Sequence, residues 1–128
     1  MKKILLFSLA LLIFNQMDAQ NFSRKDSLQG GLREERTCYD VLRYNLDIKI
    51  NPTEKSIVGY NEIIFKVDDN TSKIQVDLFE NMKIESIIWK NKKLDYKRDF
   101  GAVFIEFPEE LKKGTTQTIT FNYSGNPI

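Results

Sequence analysis

From Tyr39 onward apolar and polar positions alternate with a period of two. Tyr44, Leu46, Ile48 and Ile50 alternate with Arg43, Asn45, Asp47 and Lys49, which predicts a strand with one buried and one wet face. Asn51-Pro52-Thr53-Glu54-Lys55 reads as a turn, with Pro52 fixing φ. A second strand spans 56–67. Ile57, Ile63, Phe65 and Val67 share one of its faces, while Val58, Tyr60 and Ile64 point the other way. Apolar residues on both faces predict a central position. After a turn over 68–72, a short strand over 73–78 directs Ile74, Val76 and Leu78 inward, and a fourth covers 83–89. Asn91-Lys92 then reverses the chain into Leu94-Asp95-Tyr96-Lys97. Asp99-Phe100-Gly101 turns it into 102–107, again apolar on both faces and again expected to be central. The stretch 108–114 reads as a connection to a last strand, in which Ile119, Phe121 and Tyr123 alternate with Thr118, Thr120 and Asn122. Short strands at this spacing, with no long helical period, define an all-β class: an antiparallel β-sandwich or a curled sheet.

The first nineteen residues follow a different pattern. Lys2 and Lys3 precede a run over 4–14 that is apolar apart from Ser8. That run is too short to cross a bilayer, which takes roughly 20 apolar residues, and it fits the core of a secretory signal. Asn15, Gln16 and Asp18 end it, and Ala19 offers a cleavage point before Gln20, although Met17 stands where a smaller residue is usual. The expected organisation is a signal peptide over 1–19, a polar arm over 20–36 with one helical turn around Arg33-Glu34-Glu35-Arg36, and a single β domain over 37–128. The mature chain is expected in the periplasm or outside the cell, free of the membrane once the signal is removed.

Charge narrows the partners. Of 19 basic and 18 acidic residues, cleavage removes Lys2, Lys3 and Asp18 and leaves 17 of each. A balanced chain lacks the basic excess of a nucleic-acid binder, and Lys90-Asn91-Lys92-Lys93 reads as a solvated turn. The lone Cys38 excludes an internal disulfide, and with no histidine in the sequence it has no imidazole base. It is expected to pack as a small side chain near a strand start. The adjacent acids Glu34-Glu35, Asp68-Asp69 and Glu109-Glu110 should diverge, since neighbours in a strand face opposite ways. Asp68-Asp69-Asn70 lacks the spaced ligands of a calcium loop and reads as a turn. Asn21-Phe22-Ser23, Asn70-Thr71-Ser72 and Asn122-Tyr123-Ser124 fit the N-glycosylation pattern, which matters only in a host that glycosylates. No phosphate loop or nucleophile elbow is present.

Two segments carry a resemblance. Tyr39-Asp40-Val41-Leu42-Arg43-Tyr44-Asn45-Leu46-Asp47-Ile48, followed by Lys55-Ser56-Ile57-Val58-Gly59-Tyr60-Asn61-Glu62-Ile63, resembles the opening of the aminopeptidase N family of zinc metallopeptidases. Ile74-Gln75-Val76-Asp77-Leu78, the Gly114 turn and Tyr123-Ser124-Gly125-Asn126-Pro127 match that family's N-terminal β domain in order and spacing. Arg24-Lys25-Asp26-Ser27-Leu28-Gln29-Gly30 and Glu35-Arg36-Thr37 are similar to secreted bacterial members. The resemblance implies about the first half of that domain, ahead of a catalytic domain that removes N-terminal residues from peptides. There zinc is held by His-Glu-x-x-His and a distant Glu, and Gly-x-Met-x-Asn binds the peptide amine. None of those motifs occurs here. The expectation is therefore an inactive chain with no catalytic, cofactor or metal residues. Its zinc and peptide substrates belong to a missing catalytic domain of the same polypeptide. A half domain should also leave Ile105 and Phe107 poorly covered and be marginally stable or self-associating. The alternative is a stand-alone secreted module binding protein or carbohydrate, for which Trp89, Tyr96 and Phe100 are the candidate aromatics.

Overall fold

The alternation becomes eight antiparallel strands in a computed structural model that describes residues 22–128; the expected signal peptide lies outside the described residues. The strands are β1 (Tyr39–Asn51), β2 (Ser56–Val67), β3 (Thr71–Asp77), β4 (Met82–Trp89), β5 (Lys92–Lys93), β6 (Asp95–Asp99), β7 (Ala102–Leu111) and β8 (Thr116–Gly125). They form a five-stranded sheet in the order β1-β2-β8-β4-β5 and a three-stranded sheet in the order β3-β7-β6. β2 and β7, the two strands apolar on both faces, are interior strands as expected. The turns also follow their residues. Lys90 and Asn91 both take positive φ in the two-residue β4–β5 hairpin, and the Asn51 side chain accepts from the backbone N–H groups of Thr53 and Glu54.

The core lies between the sheets. Ile63, Phe65, Ile87, Trp89, Ile119 and Phe121 of the larger sheet meet Ile74, Val103, Ile105 and Phe107 of the smaller. Phe107 links the layers, with its ring 6.4 Å from Phe65 and 5.4 Å from Trp89. Ile105 and Phe107 are thus fully covered, contrary to the expectation for a cut sandwich. Both lie on β7, the middle strand of the small sheet, which packs them against the larger one.

The uncovered surface is elsewhere. Tyr44, Leu46 and Ile48 sit opposite Ile63, Asn61 and Gly59 in the β1–β2 ladder and share the core-side face. Yet Tyr44, Leu46, Ile48 and Ile50 are 57%, 62%, 41% and 71% exposed. The expectation that this face of β1 is buried fails because the small sheet stops short of it. A bulge at Leu42 divides the strand; before it, Tyr39 and Val41 still pack against the core. The stretch 108–114 also departs from its expected role as a plain connection. β7 continues to Leu111, and the register shifts so that 107–110 loop out opposite Ser72. Pro108, which has no N–H to donate, is accommodated in that irregularity.

The polar arm contains two helices, α1 (Arg24–Gly30) and α2 (Glu34–Thr37). The second is the expected helical turn. The first is capped by Ser23, whose hydroxyl accepts from the Asp26 backbone while the Asp26 carboxylate accepts from the Ser23 backbone. Leu28 anchors it, fully buried against the outer face of the small sheet.

Two contacts pin the sheets. Arg98 of β6 donates to the carbonyls of Met82 (2.6 Å), Leu78 (3.0 Å), Phe79 (2.6 Å) and Phe100 (3.1 Å). It thereby satisfies the segment that crosses from β3 to β4. At Gly59 a Cβ would lie 2.1 Å from the Asp47 carbonyl oxygen, so β1 and β2 approach too closely there for any side chain. Arg98→Met is expected to lower unfolding free energy by about 2–4 kcal/mol, since it strands the part-buried carbonyls of Leu78 and Met82. Gly59→Ala should cost about 1–3 kcal/mol through forced separation of β1 from β2. Urea unfolding of each variant beside the parent chain checks both; losses under about 0.5 kcal/mol would remove these contacts from the account.

Candidate functional site

A concave seam runs where β2 faces β3 at the open end of the sandwich. Two openings share Asn61, Ile63, Val76 and Asp77 in their walls. One, of about 440 Å³, is largely apolar and is completed by Leu78, Phe79 and Tyr123. The other, of about 470 Å³, is more polar and adds Arg36, Tyr39, Tyr44 and Gln75. Helix α2 supplies Arg36, which donates to the Leu28 and Gln29 carbonyls and pairs with Asp77 at 3.0 Å. Gln75 is buried beneath α1 and donates to the Leu28 carbonyl and to Asp77 Oδ1. Tyr39 donates its hydroxyl to the Gln75 carbonyl at 2.6 Å. The side-chain oxygens of Asn61 and Gln75 are buried without a hydrogen-bond partner.

This arrangement suits binding better than proton transfer. The Asp77 carboxylate is already engaged by Arg36 and Gln75, and the seam offers acceptor oxygens beside apolar walls. Burial is the main reason that the Tyr39 phenol is pushed up from 10.0 to about 12, so it stays protonated at neutral pH. No nucleophile with a base in reach lines either opening.

The residues weighed in the sequence come to rest apart from the seam. Cys38 is buried next to the start of β1, its thiol directed at the Lys73 carbonyl, and desolvation pushes its pKa up; it behaves as the packed small side chain expected. Two of the three acidic pairs diverge, whereas Glu34 and Glu35 lie on helix α2 and both line one opening beside Asp69. Asp68 faces Lys66 while Asp69 faces Lys113, and Glu109 pairs with Lys90 while Glu110 pairs with Lys112. Asp68 and Asp69 also donate their backbone N–H groups to the Cys38 carbonyl, as befits a turn. Among the described residues, no group of three or more His, Cys, Asp or Glu is placed to hold a metal ion. Trp89 is buried, donating its indole N–H to Gln117, so it cannot join Tyr96 and Phe100 in an exposed aromatic cluster. Lys90 lies over the Trp89 ring at 4.1 Å, which leaves the lysine run as a solvated turn. Among the described residues no helix is long and apolar enough to cross a membrane.

Sequence reasoning missed Gln75, Asn61 and Arg36 as partners. Gln75 alternates outward in β3, and only a helix from the arm buries it. The one available signal was the Ser23-x-x-Asp26 capping box.

No family model matches the chain, and no curated protein matches it. Solved structures do. A two-domain M1 zinc metallopeptidase mutant bound to L-arginine aligns with TM-score 0.65 and 21% identity, over 73% of this chain and 22% of its own. The M1 zinc metallopeptidase from Deinococcus radiodurans gives the same values. A mutant of the Deinococcus radiodurans enzyme bound to a Tyr-Ser-Ala substrate aligns with TM-score 0.64 and 22% identity, over 72% of this chain and 21% of its own. The fold is therefore that of a β domain found in M1 zinc metallopeptidases, as the resemblance implied. The chain spans about a fifth of the length of the structures it matches.

Tyr39 yields a pH prediction. A phenol whose folded pKa is raised stabilises the fold fully below its unfolded value near 10 and loses that contribution as the pH climbs through about 12. The chain should therefore lose stability between those values. Tyr39→Phe should shift the alkaline unfolding midpoint upward while lowering neutral-pH stability by about 1 kcal/mol through the lost bond to Gln75. Circular dichroism against pH tests this, and an unmoved alkaline midpoint in the variant would exonerate Tyr39.

Proposed function

We propose that this chain is the non-catalytic N-terminal β domain of an exported zinc aminopeptidase, inactive by itself and operating beside a catalytic domain of the same polypeptide. The observation that carries the reading is the coincidence of two independent likenesses. The strand motifs follow the order of that family's opening domain, and 73% of the chain superimposes on M1 zinc metallopeptidases. The absence of histidine from the whole sequence supports the assignment of zinc to the other domain, because a His-Glu-x-x-His site needs two imidazoles. Peptide substrates would likewise meet the protein only in that larger context. The seam between β2 and β3, with its apolar wall and spare acceptors, is suited to packing or lining rather than to bond cleavage. The short apolar run after Lys2 and Lys3 supports export to the periplasm or beyond.

Three measurements test this. Expressed in a secreting bacterial host, the chain should be recovered with Gln20 as its first residue; an intact Met1 would overturn export. Supplied with zinc and aminoacyl chromogenic substrates, the purified chain should release nothing. Zinc-dependent release would end the non-catalytic assignment. The coding sequence beyond Ile128 should continue in frame to His-Glu-x-x-His, and a stop codon there would overturn the shared polypeptide.

A further inference from the structure

The edges of the two sheets are defended unequally. β5 is only two residues long and both are exposed lysines. β6 reads Asp-Tyr-Lys-Arg-Asp, and its Asp99 is held by Arg24 of α1. Helix α2 packs against β3. Short edges, charges and covering helices are the usual protections against strand addition. Among the described residues β1 is neither short nor covered by a helix beyond its bulge: it runs for 13 residues without proline, and its charges there, Arg43, Asp47 and Lys49, lie on the face away from the core. From Arg43 to Asn51 it pairs without interruption to β2 on one side and, among the described residues, to nothing on the other. Its core-side face there presents Tyr44, Leu46, Ile48 and Ile50 to solvent. Among the described residues, Asp47 and Lys49 take part in none of the chain's ion pairs.

We propose that β1 pairs antiparallel with β1 of a second copy of this chain, about a two-fold axis through Ile48, to give a continuous ten-stranded sheet. The register follows from charge. An axis at Leu46 would set Arg43 against Lys49 of the second copy, and an axis at Asp47 would set that carboxylate against itself; like charges directly opposite are unfavourable. An axis at Asn45 keeps opposite charges together but runs the pairing into the bulge at Leu42. The axis at Ile48 uses only regular strand. It sets Asp47 against Lys49 of the second copy twice, on the outer face. On the core-side face it sets Ile48 against Ile48 and Leu46 against Ile50 twice. A two-fold contact of this kind closes at two copies, and it joins the two exposed apolar faces into one. The pairing stands or falls independently of any zinc peptidase context.

Sedimentation of the mature chain, residues 20–128, over a wide concentration range tests it, with circular dichroism confirming that each variant folds. The parent chain should pass from monomer to dimer and stop there. Asp47→Lys sets two pairs of lysines against each other and Lys49→Asp two pairs of aspartates, so each alone should weaken association by about tenfold or more. An equimolar mixture of the two variants restores two opposite-charge pairs and should regain parental affinity as a mixed dimer. Ile48→Lys, with two introduced lysines facing each other on the axis, should be monomeric. A parent chain that stays monomeric, assembly beyond two copies, swaps without effect, or a mixture no tighter than its components would each overturn the pairing.

Discussion

The structure depends on how the chain crosses between its two sheets. Between β3 and β4 the backbone leaves the small sheet and enters the large one, and its carbonyls have no ladder to join. A single guanidinium resolves this. Arg98 reaches the carbonyls of Leu78, Phe79 and Met82 from β6, and that of Phe100 in its own hairpin. Charge-assisted bonds in a fixed planar fork suit such a cluster, which an ammonium would satisfy less completely. With the crossing held, β7 can lay Phe107 between Phe65 and Trp89, and the core follows.

Much of this was legible because a strand's burial repeats every two residues. β2 and β7 were recognised as interior strands from apolar residues on both faces. The turns at 51–55 and 99–101 announced themselves through Asn, Pro, Gly and their neighbours, and the reversal expected at Asn91-Lys92 falls one residue earlier, at Lys90-Asn91. What period alone cannot say is which element lies above a given face. Tyr44, Leu46, Ile48 and Ile50 have the alternation of a buried strand face, yet the small sheet ends before reaching them. Ile105 and Phe107 failed in the opposite direction. They were judged from the length of chain available, whereas their cover is set by the topology. Arg98, Gln75 and Arg36 were invisible for a related reason: each acts on backbone or side chains distant in sequence, and nothing local marks them.

The functional reading has the same character. Composition excluded chemistry built on imidazole, and motif order supplied a family likeness that the fold then matched. The seam between β2 and β3 emerged only with the coordinates, because its polar opening joins α2, β1, β2 and β3. Its spare oxygens on Asn61 and Gln75 are acceptors held out of contact with solvent.

Helix α1 has a consequence for the order in which the protein opens. Its hold on the body consists of one buried side chain, Leu28, the hydrogen bonds that Gln75 and Arg36 donate to its Leu28 and Gln29 carbonyls, and ion pairs at its exposed start, where Arg24 meets Asp99 and Lys25 meets Glu80. Exposed pairs of that kind are worth little individually and weaken with salt. A helix held by so few contacts is expected to detach before the sheets separate. Each detachment wets Gln75 and uncovers the outer face of the small sheet. Ionic strength thus sets how often a buried glutamine meets water.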